Sequence, residues 1–153
     1  NEGDVLFNLY NYDAVYVGGG NTYRLLSVLE KSGMLDALKK YIRNDGIYYG
    51  GSAGAVIVGK SLRTVEEENL ENYSNHHGMN LINNLSIFPH FSDSEEQKST
   101  IRNICGNYAL MIAALPENSG LIIDDRGISV YGNMYLYEKE KKTVFYTSGQ
   151  IIK

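Results

Sequence analysis

The feature that most constrains the fold is a serine flanked by glycines, between a short apolar segment and a run of small apolar residues. Gly50-Gly51-Ser52-Ala53-Gly54 follows Ile47-Tyr48-Tyr49, which predicts a buried strand, and residues 53–59 predict a helix. A Gly-x-Ser-x-Gly sequence in this context is typical of a sharp turn that strains the backbone of a nucleophilic serine and exposes its hydroxyl. We therefore interpret Ser52 as a nucleophile, and a glycine-rich turn with a purely structural role is the alternative.

Strand and helix patterns alternate through the first half of the chain. Residues 13–17 predict a strand that leads into Gly18-Gly19-Gly20, and leucines between positions 25 and 35 predict a helix after this loop. A second amphipathic run, Leu35 to Ile42, predicts another helix before the strand at 47–49. This alternation favours an α/β fold with a mostly parallel sheet and helices on both of its faces.

The second half predicts fewer helices and more short strands. Residues 64–80 are polar and have no clear period, so we expect a surface excursion with little regular structure. Leu85 to Phe88 predicts a strand ahead of Pro89-His90-Phe91, and Ser94 to Cys105 predicts a helix. Four further short strands predict a C-terminal β-meander at residues 121–123, 128–131, 134–137 and 143–146.

Size and charge limit the class of partner. The 153 residues have the length of one domain, so we expect residues 1–153 to form a single α/β hydrolase domain. The net charge is −4 and the basic residues are scattered, which argues against binding to nucleic acid or an anionic membrane. No segment approaches the roughly 20 apolar residues of a membrane span. We expect a small-molecule or peptide substrate, and a homodimer is compatible with the sequence.

The single cysteine and the first residues indicate the compartment and the extent of the domain. Cys105 alone can form neither an intrachain disulfide nor a cysteine-based zinc site, which fits a reducing cytoplasm. The chain starts at Asn1 without a methionine, and a strand and the glycine loop follow almost at once. We therefore expect strands upstream of this loop to be missing.

A serine nucleophile needs a base, and the histidines are His76, His77 and His90. The first two lie in the polar excursion, where exposed histidines are common. His90 follows an apolar strand and a proline, and side chains at the carboxyl end of such a strand point into the crevice of an α/β sheet. We expect His90 to be the base, and a hydrogen-bonded histidine at a loop start is the alternative.

The glycine loop after the first strand suggests a second role for backbone amides. Residues 17–22 open a helix and suit a phosphate, but they lack the spacing of dinucleotide-binding and P-loop motifs. An amide of this loop beside Ser52, together with the amide of Ala53, fits an oxyanion hole better.

Taken in order, four motifs resemble one protein family. They are Val17-Gly18-Gly19-Gly20-Asn21-Thr22 with Leu25-Leu26, Gly51-Ser52-Ala53-Gly54-Ala55, Pro89-His90-Phe91 and Leu115-Pro116-Glu117. This order is similar to that of the peptidase E (aspartyl dipeptidase) and cyanophycinase family of serine peptidases, which is S51-type. The resemblance covers nearly the whole chain. It implies a sheet akin to class I glutamine amidotransferases and cytosolic hydrolysis of small peptides through an acyl-enzyme, with no metal or organic cofactor.

The resemblance also implies roles for single residues. Ser52, His90 and Glu117 would form a Ser-His-Glu triad, and the amides of Gly20 and Ala53 would form the oxyanion hole. Two further residues are expected to contact the substrate.

These substrate contacts are Asn21 in the glycine loop and Glu95 on the helix after the histidine. In aspartyl dipeptidases the position nearest Glu95 is an arginine that helps to bind the acidic N-terminal residue of the substrate. Specificity for an N-terminal Asp is therefore not expected here.

Asp124 and Asp125 are the alternatives to Glu117 as the partner of the histidine. The sequence Asp124-Asp125-Arg126-Gly127 separates two apolar strands and is typical of a hairpin turn whose tip faces water. Glu117 follows the apolar run 113–116, whose end is expected at the carboxyl edge of the sheet. The position of Glu117 favours it over both aspartates.

Two other functions stay open. One is a catalytically silent family member that acts as a binding or regulatory module and keeps the serine turn for packing. The missing upstream strands and the absent arginine favour this alternative. The other is an esterase.

Overall fold

The computed structural model describes residues 8–70 and 72–152, which form an α/β structure with three small sheets. A single 3-10 turn covers Leu9–Asn11. The α-helices are α1 (Thr22–Lys31), α2 (Met34–Arg43), α3 (Ala53–Val58) and α4 (Glu95–Tyr108). The strands are β1 (Ala14–Val17), β2 (Ile47–Gly50), β3 (Leu85–Phe88), β4 (Met111–Ala114), β5 (Gly120–Asp124), β6 (Gly127–Tyr131), β7 (Asn133–Tyr137), β8 (Val144–Thr147) and β9 (Ile151–Ile152). In this part of the chain no helix has the length and hydropathy needed to cross a membrane.

The first sheet is a parallel pair of β1 and β2, in which Val17 lies opposite Gly50. One face of this pair contacts an apolar core to which α1, α2 and α3 contribute. The other face is open, since Tyr16 and Tyr49 are 65% and 68% exposed. Among the described residues, helices therefore cover only one face of this pair. We had predicted helices on both faces of the sheet, and this pair does not have them. The shared direction of the strands brings the glycine loop and Ser52 to the same edge.

The second parallel pair, β3 and β4, is buried on both faces. Ile87 packs into a core shared with β6, β7 and side chains of α3, whereas Phe88 packs against Ile101 of α4. A strand buried on both faces is expected to be apolar nearly throughout, as Leu-Ser-Ile-Phe is. Phe88 lies opposite Ala114, so His90 and Glu117 follow their strands at the same edge of the sheet.

Helix α3 lies between the two parallel pairs and packs against β1, β2 and β3. Its first residues are small, which permits close contact with the sheet. A Cβ at Gly54 would lie 2.0 Å from the carbonyl oxygen of Val17. Because Gly54 has no side chain, the start of α3 can lie close to the carboxyl ends of β1 and β2.

The sheet topology differs from our prediction in two respects. Among the described residues two strand pairings are parallel and four are antiparallel, so a mostly parallel sheet is not confirmed. The predicted C-terminal meander is wrong, because β6 and β7 lie in different sheets. Strands β5, β6 and β9 form one antiparallel sheet, while β7 and β8 extend the sheet of β3 and β4.

A sharp turn at Gly132 separates β6 from β7. Gly132, between the two strands, has a φ of 73°. A Cβ at this position would also lie 2.6 Å from the carbonyl oxygen of Asn118, so the sharp turn needs glycine. Beyond it, Met134 and Leu136 of β7 are buried in the core that includes Ala113 of β4. Ile128 and Val130 of β6 lie in the same core, so the two sheets bury their apolar side chains together.

The polar segment 64–80 has no helix or strand in its described part, as we predicted. Hydrogen bonds attach this segment to the start of α1. The Asn21 side chain donates to the carbonyl oxygen of Glu68 at 2.9 Å. The Glu67 carboxylate accepts a hydrogen bond from the Thr22 amide, at a helix end that favours negative charge.

Candidate active site

Ser52 occupies a sharp turn between β2 and α3. Its backbone angles are φ 49° and ψ −110°, and a positive φ is unfavourable for a residue with a Cβ. The strained backbone that we predicted at this serine is therefore confirmed. A Cβ at Gly50 would lie 2.6 Å from the carbonyl oxygen of Gly54. The turn needs glycine there because no side chain would fit.

Two backbone hydrogen bonds join this turn to the glycine loop after β1. The Gly51 amide donates to the Val17 carbonyl at 2.9 Å, and the Gly54 amide donates to the Gly18 carbonyl at 3.2 Å. A Cβ at Gly19 would lie 3.3 Å from the Cβ of the serine. The glycine loop thus lies directly beside the serine side chain.

Ser52, His90 and Glu117 form a chain of hydrogen bonds. Ser52 Oγ lies 2.8 Å from His90 Nε2, and His90 Nδ1 lies 2.6 Å from Glu117 Oε1. Because an ionised carboxylate only accepts hydrogen bonds, Nδ1 carries the proton and donates to Glu117. In a neutral ring, Nε2 then accepts the hydrogen bond from the serine hydroxyl. This arrangement places a base beside the Ser52 hydroxyl and selects the tautomer of the His90 ring.

The backbone around His90 is held by the start of α4. His90 follows Pro89 and has a φ of 56°. The Gln97 side chain accepts from the Ser92 amide at 2.7 Å and donates to the His90 carbonyl at 3.5 Å. Gln97 is not among the site residues that we predicted from the sequence. The signal for it is the spacing Ser94-x-x-Gln97, a capping sequence in which the serine accepts from the Gln97 amide at 3.2 Å.

The triad is open to solvent. The side chains of His90 and Glu117 are 55% and 79% exposed. Water and salt screen an ion pair at such a surface, so the pair contributes little to the stability of the fold. The contact between the two side chains therefore matters chiefly for the orientation of the imidazole.

The amides of Gly20 and Ala53 are available to a ligand. Gly20 has a φ of 128°, and a Cβ placed there would meet no atom within 4 Å. Ala53 is the first residue of α3, where backbone amides have no partner within the helix. In residues 8–70 and 72–152, neither amide donates to another backbone group. The oxyanion hole expected from these two amides stays a prediction.

The other two histidines have different surroundings. The ring of His76 packs edge-on against Tyr23, with ring centroids 5.8 Å apart. Burial lowers the pKa of His76, and the nearby charge of Arg63 lowers it further. His77 is exposed in the polar segment. The histidine that contacts Ser52 is His90.

Asp124 and Asp125 belong to the hairpin between β5 and β6, as their sequence predicted. Arg126 Nε donates to Asp124 Oδ2 at 3.0 Å, and the hydrogen bonds from Arg126 lower the pKa of this carboxyl group. Asp125 is exposed at the tip. The carboxylate that contacts His90 is that of Glu117.

The single cysteine does not offer a second nucleophile. Cys105 is buried on α4, and burial raises the pKa of its thiol to about 11. The thiol therefore stays protonated at neutral pH, and only a thiolate is a strong nucleophile. Within the described residues, no group of His, Cys, Asp and Glu side chains is arranged to bind a metal ion.

A cavity of about 310 Å³ opens beside the triad, and Ser52, His90 and Glu117 all line it. Tyr48 closes one side, with its hydroxyl donating to the Gly54 carbonyl at 2.7 Å. Burial raises the pKa of the Tyr48 phenol, so this group stays neutral and remains a donor.

Neither residue that we expected to contact the substrate lines this cavity. Asn21 caps α1, where its side-chain oxygen accepts from the Arg24 amide at 3.0 Å. The Glu95 carboxylate accepts from Lys98 Nζ at 3.0 Å, and its side chain is 85% exposed. Their roles in substrate binding stay predictions.

The strain at Ser52 predicts an unusual effect on stability. Glycine tolerates a positive φ and alanine does not, so Ser52→Gly should unfold with a free energy about 1 kcal/mol higher than Ser52→Ala. Urea unfolding monitored by circular dichroism measures both. Ser99, exposed on α4, provides the matched control, because glycine in a helix should be about 1 kcal/mol less stable than alanine. The same order at both sites would contradict the strained turn.

One protein family and several known proteins match the chain. A profile of peptidase family S51 matches residues 1–131. A protein named peptidase E from Streptomyces coelicolor is 33% identical over 135 residues, which cover 82% of this chain and 55% of that protein. A peptidase E from Nostoc sp. is 29% identical over 135 residues, covering 83% and 55%. The chain thus spans about half the length of the curated relatives it matches.

A solved structure has a similar fold. The crystal structure of a peptidase from an acI-B1 actinobacterium matches with a TM-score of 0.68 and 17% sequence identity. The match covers 90% of this chain and 58% of that one. At this identity, the likeness shows the fold alone.

Proposed function

Because the chain belongs to peptidase family S51, we propose that it acts as a serine peptidase, hydrolysing small peptides through an acyl-enzyme at Ser52. The observation that supports this best is the chain of hydrogen bonds from Ser52 Oγ through His90 to Glu117, at 2.8 and 2.6 Å. In this proposal each proton transfer uses the imidazole, so the reaction needs no metal or organic cofactor.

The reaction has two halves. His90 Nε2 takes the proton of the Ser52 hydroxyl as Oγ attacks the carbonyl carbon of the peptide, and a tetrahedral intermediate forms. The imidazolium then gives this proton to the nitrogen of the leaving amine, the C–N bond breaks and the acyl group stays on Oγ. In the second half His90 takes a proton from water, the hydroxide attacks the acyl carbon, and the proton returns to Oγ as the carboxylic acid leaves.

Two groups assist without exchanging protons with the substrate. The amides of Gly20 and Ala53 bind the negative oxygen of the tetrahedral intermediate, where fixed donors lower the barrier most. Glu117 keeps the His90 ring oriented and stabilises its charged form. Asn21 and Glu95 are proposed to contact the substrate outside the cavity.

Reaction with a fluorophosphonate tests this proposal directly. We expect a covalent adduct on Ser52, located by mass spectrometry of the digested protein, and no adduct at this position in Ser52→Ala. A protein that binds peptides without forming the adduct would be a binding or regulatory module. A simple ester that turns over where dipeptides do not would indicate an esterase.

The cavity also predicts weak or no preference for an N-terminal Asp. No described residue that lines it is Lys or Arg, and Glu117 would repel a second carboxylate. Asp-Leu should therefore be no better a substrate than Ala-Leu when kcat/KM is compared for Asp-Leu, Lys-Leu and Ala-Leu. A strong advantage for Asp-Leu would show that a cation elsewhere, such as Arg63 or Arg102, binds the substrate.

The proposal also covers the fold of the domain and the cellular location of the protein. We propose that residues 1–153 form a single hydrolase domain with a fold like that of class I glutamine amidotransferases. In support, the carboxyl ends of two parallel strand pairs carry the residues of the triad and the glycine loop.

We also propose a cytoplasmic location, with which the buried, unpaired Cys105 is compatible. The homodimer stays a prediction, which light scattering of the purified chain would test.

A further inference from the structure

The cavity beside Ser52 has the position of a substrate side-chain pocket. Since Ser52, His90 and Glu117 lie on its wall, a carbonyl carbon within reach of Ser52 Oγ would lie at its rim. A side chain next to the bond under attack would then extend into it. Its volume of about 310 Å³ lies at the lower end of the range for small-molecule sites, roughly 300–1,000 Å³. This volume suits one large side chain.

The rest of the wall is mostly apolar. Helix α3, the segment before β3, β3 itself and β5 contribute aliphatic side chains to it, namely Ala55, Val58, Ile82, Ile87, Leu121 and Ile123. The imidazole and the carboxylate on the wall belong to His90 and Glu117, which are already joined to each other, and the phenols of Tyr48 and Tyr49 also line it. A carboxylate entering the pocket would lose water without gaining a Lys or Arg partner, and an entering amine would compete with His90 for Glu117.

We propose that this cavity binds a large apolar side chain of the substrate, on a residue that flanks the scissile bond. The protein then prefers peptides with residues such as Leu or Phe at that position over peptides with Gly, Ala or Asp. This inference rests on the proposed role of Ser52 and adds the class of side chain that the site selects.

Strand β5 offers a matched pair of positions for the test. Leu121 and Ile123 line the cavity, whereas Ile122 does not, because neighbouring side chains of a strand point to opposite faces. Ile122 and Ile123 are 52% and 50% exposed. A polar replacement at either position should therefore disturb the core equally little.

The first experiment compares kcat/KM for two series of dipeptides. In one, X-Ala, the residue on the acyl side varies, and in the other, Ala-X, the residue on the leaving side varies, with X being Gly, Ala, Leu, Phe or Asp. We expect Leu and Phe to exceed Ala by about tenfold or more in one series, as apolar pockets achieve. That series identifies the side of the bond that the cavity accommodates.

The second experiment uses variants of β5. Ile123→Asp should lose about tenfold in kcat/KM for the Leu and Phe peptides and much less for the Ala peptide. Ile123→Lys should raise the rate with the Asp peptide relative to the Leu peptide, since it supplies a cation. Ile122→Asp should keep the preference of the parent. Labelling of Ser52 by a small fluorophosphonate should be unchanged in Ile122→Asp and should still occur in both Ile123 variants, which keep the triad.

The outcomes separate this inference from the proposed function. If Ser52 is labelled but both series are flat or favour Asp, the apolar pocket is wrong and the serine peptidase stands. An unchanged preference in Ile123→Asp would overturn the pocket in the same way. If Ser52 is not labelled and no peptide is cleaved, the proposed function fails, and this inference fails with it.

Discussion

Replacing Ser52 with alanine should lower kcat for peptide hydrolysis by about 10⁵-fold or more while the fold stays intact. In the proposed mechanism Oγ forms the covalent bond, and without it only substrate binding and oxyanion donors are left to act. The side chain is small and faces the cavity. Alanine at a φ of 49° carries the same strain as serine, so the free energy of unfolding should change by less than about 0.5 kcal/mol.

Two measurements distinguish lost chemistry from lost structure. Circular dichroism and urea unfolding should give nearly the same result for Ser52→Ala and the parent, while turnover of a good dipeptide disappears. Ser99→Ala, on the exposed side of α4, serves as the control and should keep full turnover. Hydrolysis at the parent rate by Ser52→Ala would rule out a serine mechanism.

Glu117→Gln should lower kcat on the order of 10³- to 10⁴-fold, the usual effect of removing the group that orients a catalytic histidine. Glutamine has nearly the same shape, but it has no charge to stabilise the imidazolium. Its amide can also turn its NH₂ group toward His90 Nδ1. The ring would then carry its proton on Nε2, and this nitrogen could no longer accept from the Ser52 hydroxyl.

Asn replacements of the hairpin aspartates are the matched controls for Glu117→Gln, because each also turns a carboxylate into an amide. Asp124 loses only its exposed ion pair with Arg126, and such pairs have little effect on the rest of the molecule. Asp124→Asn and Asp125→Asn should therefore keep kcat within a few-fold of the parent. A larger loss in either of them than in Glu117→Gln would reverse the assignment.

The serine turn could be predicted from the sequence because its causes are local. The glycines at 50 and 54, the apolar segment before them and the small residues after them all lie within about ten positions of each other. Hydrophobic period and backbone sterics act over this distance. The same holds for β3 and α2, whose predicted ranges agree closely with the structure.

The position of the histidine partner was only partly predictable. Sequence could place His90 and Glu117 after apolar runs, and the family resemblance favoured this pair. Their 2.6 Å contact depends on the parallel register of β3 with β4, in which Phe88 lies opposite Ala114. No local pattern specifies a register between strands that are more than twenty residues apart.

By itself, then, the sequence determined the order of most helices and strands, the strained turn at Ser52 and the hairpin at residues 124–127. Each of these follows from sterics and hydrophobic period within one segment. Only the tertiary structure decided that β7 leaves β6 to pair with β4, and that apolar side chains from distant segments form a cavity beside the triad. The physical reason is that strand pairing and cavities depend on which apolar faces are buried against each other. The whole core determines which faces meet, so the sequence near any one residue is not enough to predict the strand pairing or the cavity.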